Sequence, residues 1–377
     1  MERIVVTADV GCEENRAAEL LADKLGSSPF SAIILMVSPK ADFENLAEVF
    51  AARFPNAQVI GCSTAGEICQ DGYAEHRILA LGLPQTHFSC RVQLVSDVDN
   101  ADYGNVSTLM LRNKADLEKQ HPDWENEFNF LLIDGLSQCE DKFVSALSMA
   151  LGSVPLFGGS SADGVEFTKT KLLHQGTWHE NAAVLMQVRT RCEISVFKTD
   201  HLIPTEKRMV VTKANPEERT VSEINAAPAA KEYARLLGKD PEQLSTFTFA
   251  AHPVVVKVGG THHVRAIQRI SENGDLIFFS AIDEGLVLTL ADPMDMSDHL
   301  EKEMAKLSKK RAPDIVLACD CILRRLEAQE KQKSHALSQI MSDNRVFGFS
   351  TYGEQYNSMH VNQTLTGVAI YPPEAGE

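Results

Sequence analysis

Val346-Phe347-Gly348-Phe349-Ser350-Thr351-Tyr352-Gly353-Glu354 opens the run VFGFSTYGEQYNSMHVNQTLTGVAIY over residues 346–371, and the rest of the chain is read from it. A short apolar strand breaks at Gly348 and Gly353, a polar run follows, and a second apolar strand starts at Leu365. Two strands anchoring a polar loop place hydrogen-bonding groups at a sheet rim, where scaffolds display binding residues. The pattern is an apolar residue, Gly, any residue, Ser, a hydroxyl residue or Ser, then Gly a little further on. It occurs also as Ile60-Gly61-Cys62-Ser63-Thr64-Ala65-Gly66 and Phe157-Gly158-Gly159-Ser160-Ser161-Ala162-Asp163-Gly164.

An apolar strand and a helical pattern precede each copy, at residues 33–37 and 43–54, 130–133 and 141–151, 315–318 and 322–340. A further β-like run follows each, at 77–83, 182–188 and 365–371. The unit is therefore strand–helix–strand–loop–strand, used three times. Its spacing is too uneven for a solenoid, whose repeat has a fixed period. Alternating β and α segments predict an α/β (mixed α+β) protein with parallel neighbours in its sheets. The expected architecture is two related lobes, with mixed sheets covered by helices in an αββα-like sandwich with internal repeats.

At 377 residues a division into two domains is expected. The weakly patterned stretch 201–220 sets their limits at 1–205 and 206–377. Beyond it, residues 229–237 read as a helix stopped by Gly238, and 247–249, 254–258, 263–270, 276–279 and 286–290 as short strands. Turns fall at Gly259-Gly260 and Asn273-Gly274, and the tail from Pro372 reads as frayed.

The net charge of −16 lacks the basic footprint of a nucleic-acid or anionic-membrane binder. No apolar run approaches the ~20 residues of a membrane span. The first residues, MERIVVTADVGCEENR, lack the order of a signal peptide. Eight cysteines without zinc or C-x-x-C spacing read as small buried hydrophobes of a reduced, cytoplasmic protein.

Gly-x-Ser invites a hydrolase reading, but that elbow needs Gly-x-Ser-x-Gly turning into a helix, and here β-like segments follow. No phosphate-cradling glycine loop is present either. The pattern favours binding over catalysis, and no enzyme activity is expected.

Several ordered motifs carry a resemblance over nearly the whole chain. Val59-Ile60-Gly61-Cys62-Ser63-Thr64-Ala65-Gly66-Glu67-Ile68 with Gly72-Tyr73 resembles the first module of the FIST (F-box and intracellular signal transduction) family. Val264-Arg265-Ala266-Ile267, Asp283-Glu284-Gly285, Gly348–Glu354 read as above and Asn362-Gln363-Thr364-Leu365 resemble its second. The resemblance implies a sensory ligand-binding module for small molecules such as amino acids. With no kinase, methyl-acceptor or cyclase segment in these residues, the solitary format resembles a subset that binds haem. Those proteins sense nitric oxide and regulate a partner histidine kinase or cyclic-di-GMP cyclase or phosphodiesterase.

Haem iron accepts His, Cys, Met or Tyr. His360 is the first candidate for the iron of a haem b, close in sequence to Tyr352, Tyr356 and Met359, and His252 is the second. Arg265 would meet a carboxylate of haem or of an amino acid, or else form a structural ion pair. Ser63, Thr64, Ser350, Glu354 and Asn362 complete the expected polar lining; the hydroxyls either serve a ligand or cap their own glycine turns. The expectation is a haem-dependent nitric-oxide sensor, with a haem-free sensor of an amino-acid-like carboxylate as the alternative.

Overall fold

The computed structural model describes residues 4–258 and 260–373. Part of the Gly259-Gly260 turn and the tail beyond residue 373 thus lie outside the described residues. Three sheets are built on one plan. In each, two parallel strands joined by a helix form the centre: Phe30–Val37 with Gln58–Ser63, Asn126–Ile133 with Leu156–Ser160, and Ile315–Cys321 with Val346–Thr351. An antiparallel strand flanks each pair on one side: Arg77–Pro84, Ala182–Thr190 and Leu365–Ile370. Beyond it an outer strand completes that side: Val6–Gly11, Phe88–Ser96 and Ile194–Thr199.

The other side of each sheet is filled by a hairpin taken from a different unit. The hairpin after Ser63 (Glu67–Cys69, Gly72–Ala74) pairs with Val346–Thr351 of the third sheet. The one after Ser160 (Leu172–His174, Thr177–His179) pairs with Gln58–Ser63 of the first. The one after Thr351 (Glu354–Tyr356, Met359–Val361) pairs with Leu156–Ser160 of the second. Each unit donates to one neighbour and receives from the other, so the three close on themselves.

Central strands such as Phe30–Val37 are apolar on both faces because both are covered, as parallel strands require. The inner faces share one core, with Ile34, Met36 and Leu81 from the first sheet, Phe130, Phe157 and Met186 from the second, and Leu317, Phe349 and Val368 from the third. Helices cover the outer faces: Ala17–Leu25 and Phe43–Arg53 on the first sheet, Tyr103–Gln120 and Glu140–Leu151 on the second. Met296–Leu307 and Ser334–Asp343 cover the third, with Ile322–Glu330 at its end. The α/β class, the mixed sheets under helices and the internal repeat agree with the expectation from sequence.

Residues 202–293 form the smaller lobe, an eight-stranded sheet around a core of Met209, Val221, Tyr233, Val256 and Leu288. It leaves and rejoins the three-sheet body at one point, where Met294 N–H donates to His201 O at 2.7 Å.

Local readings change in three places. The stretch over 201–220 holds a strand, Leu202–Asn215, whose polar outward residues obscure the alternation at Met209 and Val211. Residues 247–249 belong to a helix, Thr246–Ala251, rather than a strand; Ser245 and Thr248 form a capping box that fixes its start. The helix expected over 322–340 is two, Ile322–Glu330 and Ser334–Asp343, parted where Gln332 turns left-handed at φ 55°.

Candidate functional site

Hairpin exchange forces each chain segment to cross from its own sheet to the next, and the crossings are the three Gly-Ser turns. They meet and bond in a ring. Ala162 N–H donates to Ser63 O at 3.0 Å, and Ser160 N–H to Gly353 O at 2.8 Å. Ala65 N–H donates to Ser350 O at 2.9 Å, and Ser350 N–H to Gly66 O at 2.7 Å. The small lobe covers this end: Ala250, Val255, Val264 and Phe279 pack against Ala65, Ala162, Ile322 and Tyr352.

The junction holds Ser63, Thr64, Ser350, Tyr352, Glu354 and Asn362 together, all buried. Their polar atoms are largely engaged inside the protein. Ser63 Oγ accepts from Lys171 N–H at 3.0 Å, and Thr64 Oγ1 donates to Glu67 Oε1 at 2.5 Å. Tyr352 donates its hydroxyl proton to Asp163 and stacks on Phe167 at 4.4 Å between centroids. Asn362 accepts from Ser280. Glu354 accepts from the hydroxyls of Thr351 and Thr364. The Thr64–Glu67 and Thr351–Glu354 pairs are thus one device used twice.

Burial pushes both carboxyls up, Glu67 to about 7 and Glu354 to about 8, against the opposing pull of their threonine hydrogen bonds. The folded state therefore holds protons that the unfolded chain releases at lower pH. Stability from these groups is full below the ordinary carboxylate range, near pH 4–5, and is lost as pH rises through about 7 and then about 8. Wild type should lose on the order of 6 kcal/mol between pH 5 and 8, and Glu354→Gln should flatten much of that slope. Urea titrations across the range check it; an unchanged slope in the variant refutes it.

The other expected residues lie around this knot, His360 directly against Gly353. His360 is buried, with Gln355 Nε2 at 3.3 Å from Nδ1 and no hydrogen-bond partner for Nε2 among the described residues. Gln355 presents an amide N–H to Nδ1, so Nδ1 accepts and the ring proton falls on Nε2. Arg265 donates to Val264 O at 3.2 Å, and its Nε has no partner among the described residues. His252 ends the helix Thr246–Ala251, its carbonyl accepting from Tyr233 Oη at 2.6 Å. Six of the nine residues meet at the junction; His360, Arg265 and His252 are placed around it.

Against the junction opens a cleft of about 690 Å³, within the ~300–1,000 Å³ of ligand and cofactor sites. One face of the helix Ile322–Glu330 lines it with Ile322, Arg325, Leu326 and Gln329, at i, i+3, i+4 and i+7. Thr64 to Glu67 come from the first turn, Asp163 to Phe167 from the second, and Phe247 from the small lobe. Val165 and Phe247 stand exposed at its rim. Lys40 and His76 bring polar groups to the same wall, with Lys40 Nζ at 3.3 Å from His76 Nε2. Arg325 lies against the first turn, where a Cβ on Gly66 would strike its guanidinium, and donates to Ala74 O at 2.7 Å.

Of the residues expected from sequence, only Thr64 lines this cleft. Lys40, His76, Phe167, Phe247 and Arg325 were not foreseen, and only the stripe on the helix Ile322–Glu330 carries a readable periodicity. Among the described residues no three His, Cys, Asp or Glu side chains cluster to hold a metal ion. For haem the test is therefore the cleft itself. Its volume and its aromatic and aliphatic walls suit a macrocycle, and Lys40 and Arg325 suit carboxylate arms, but Glu67, Glu75, Asp163 and Glu166 line the same wall and the one imidazole there, His76, has its Nε2 against the Lys40 ammonium.

The FIST N domain model matches residues 31–227 and the FIST C domain model residues 229–357. The chain belongs to the FIST family, whose domains are associated with sensory signal transduction. No individual curated protein matches it. No helix among the described residues is long and apolar enough to cross a membrane.

Proposed function

We propose that this FIST protein is a haem-dependent sensor of nitric oxide that regulates a partner histidine kinase or cyclic-di-GMP enzyme. The observation that carries the reading is the cleft, whose walls of Ala65, Val165, Phe167, Phe247, Ile322 and Leu326 suit a flat apolar ligand. Phe167, Phe247, Ile322 and Leu326 would hold the macrocycle, and Lys40 and Arg325 would face its carboxylates. Haem iron supplies a coordination position for a diatomic gas.

The chain's own contribution to signalling is placement. The cleft touches the first two Gly-Ser turns, a helix of the third unit and the small lobe. A ligand there interacts with all four parts and favours whichever arrangement of lobe and body fits it best. That difference in affinity is what shifts a population and alters a partner's surface.

The second reading is a haem-free sensor of an amino-acid-like carboxylate. It draws on Arg325 and Glu67 lying together on the cleft wall, a cation and an acceptor suited to a small zwitterion. Hemin titration of the purified protein separates the two. An intense Soret band that shifts with nitric oxide is the expected result. Free hemin's spectrum, with thermal stabilisation by an amino acid instead, would replace the first reading by the second.

A further inference from the structure

We propose that Arg265 and His360 hold a small oxyanion between the small lobe and the three-sheet body. Neither residue lines the cleft, so the site is separate from it and independent of the haem reading. The strand Thr261–Arg265 of the small lobe lies against the strand Met359–Val361, from the hairpin that follows Thr351. The two side chains thus come from opposite sides of one seam.

Arg265 is a half-buried cation with no carboxylate paired to it among the described residues. One guanidinium nitrogen donates to Val264 O at 3.2 Å, and the buried Nε has no partner among the described residues. The carboxylates of the seam are committed elsewhere. Arg219 donates to Glu140 Oε2 at 2.8 Å and lies 3.5 Å from Asp141 Oδ2, which also accepts from Ala281 N–H at 3.1 Å. Burial pulls Arg265 below the ordinary guanidinium range; Asp141 opposes that pull and the Arg219 charge adds to it. Charges taken out of water are ordinarily paired, and this one lacks its pair.

His360 brings an independent donor to the same seam. Its ring is 2% exposed, Gln355 takes up Nδ1, and the proton on Nε2 meets no acceptor among the described residues. Burial holds the ring below the ordinary imidazole range, with Glu140 and Asp141 drawing it up and Arg219 and Arg265 pressing it down, so it lies within reach of both guanidiniums. Asn362 adds an amide. Its Oδ1 accepts from Ser280, and a Cβ on Gly353 would come within 2.8 Å of both Asn362 Nδ2 and His360 Nε2. The glycine lets those two N–H groups converge. Gln355 Oε1, also unpartnered, belongs to the amide at the ring's other nitrogen. Around Nε2 the groups left over are donors, and donors select an anion. A guanidinium edge suits two oxygens of one phosphate, sulfate or carboxylate. Arg265 keeps part of its surface in solvent, which gives the anion its way in. Bound there, it ties the lobe to the body.

Removing the cation separates a binding role from a structural one. In dilute Tris chloride, Arg265→Gln should melt at least as high as wild type, because the variant no longer buries a charge without a partner. Full-length wild type, Arg265→Gln and His360→Leu are titrated with sodium phosphate, sulfate and acetate, with sodium chloride holding the ionic strength constant. Melting temperature and calorimetry are the readouts. The expected result is that an oxyanion raises the wild-type melting temperature by several degrees while chloride does not. Its affinity should fall at least tenfold in both variants. Phosphate and sulfate acting without acetate, or the reverse, supports the proposal and names the oxyanion. A wild type that responds to no oxyanion beyond chloride overturns it, as does Arg265→Gln binding with wild-type affinity. Arg265→Gln melting clearly below wild type in chloride also overturns it, since Arg265 would then be a structural cation. Each of these outcomes leaves the hemin titration to be judged on its own spectrum.

Discussion

Arg324→Leu should destabilise the protein by about 3–5 kcal/mol, the usual cost of breaking a buried ion pair from one side. Arg324 is among the largest fully buried side chains and sits in a chain of charges at the root of the small lobe. Its Nε donates to Asp320 Oδ1 at 2.7 Å, and Asp320 Oδ2 accepts from Tyr73 Oη at 2.5 Å. On its other side a guanidinium nitrogen lies 2.9 Å from His201 Nδ1. His201 Nε2 lies 3.0 Å from Glu327 Oε2, whose other oxygen accepts from Lys331 at 2.6 Å. Burial holds His201 below the ordinary imidazole range, so the ring is neutral, accepting at Nδ1 and donating at Nε2. Burial, the largest single influence, lowers Arg324, but Asp320, Tyr73 and Glu327 together outweigh it and raise it, keeping the guanidinium charged. Removing Arg324 leaves Asp320 with one hydroxyl donor and His201 Nδ1 with none from that side. Because His201 is the residue the small lobe departs from, the loss should also raise amide exchange through residues 202–293. Pairing Arg324→Leu with Asp320→Leu should recover part of the loss, since an apolar pair leaves no charge stranded. A single variant within 1 kcal/mol of wild type in urea unfolding would show that the network contributes little.

How much of this was legible in the sequence follows the range of the interactions. Apolar runs such as 33–37 and 315–318 are local, and they gave the strands and the α/β class. The recurrence of Gly-x-Ser at 61, 158 and 348 gave the threefold unit and led to the junction where its turns meet. Hairpin exchange was not legible. The partner of Glu67–Cys69 is Val346–Thr351, almost the whole chain away, and a three-residue strand has too little pattern to name it. The cleft was hidden for the same reason. Lys40, His76, Phe167, Phe247 and Arg325 come from five separate segments, and each alone reads as an ordinary surface or packing residue. Phe247 and Phe249 mimic a strand by alternation, although a serine cap makes that segment helical. His360 drew attention because it stands near other ligand-type residues in sequence; the fold puts its Nε2 in a packed seam instead.

Gly348→Ala should cost about 3 kcal/mol, at the upper end for inserting a carbon into a packed interior, and the reason explains why the motif contains this glycine. Gly61, Gly158 and Gly348 are not in left-handed conformations, so backbone freedom is not what they supply. Each faces its parallel neighbour in the same register: Gly61 opposite Leu35, Gly158 opposite Leu131, Gly348 opposite Ala318. A Cβ at each would meet that neighbour's carbonyl oxygen. At Gly61 the approach is 2.5 Å to Leu35 O; at Gly158 and Gly348 it is closer still, against Leu131 O and Ala318 O. A backbone carbonyl cannot rotate aside as a long side chain can, so the two strands must part and the hydrogen bonds between them stretch. The penalty should therefore rank Gly61→Ala below Gly158→Ala and Gly348→Ala. Chemical denaturation of the three single variants measures that order. Were the first glycine kept for a ligand's approach instead, the alanine variants would unfold like wild type and lose only binding. A stability loss in the predicted order makes Gly-x-Ser the mark of strands held too close for a side chain, with recognition left to the residues around the cleft.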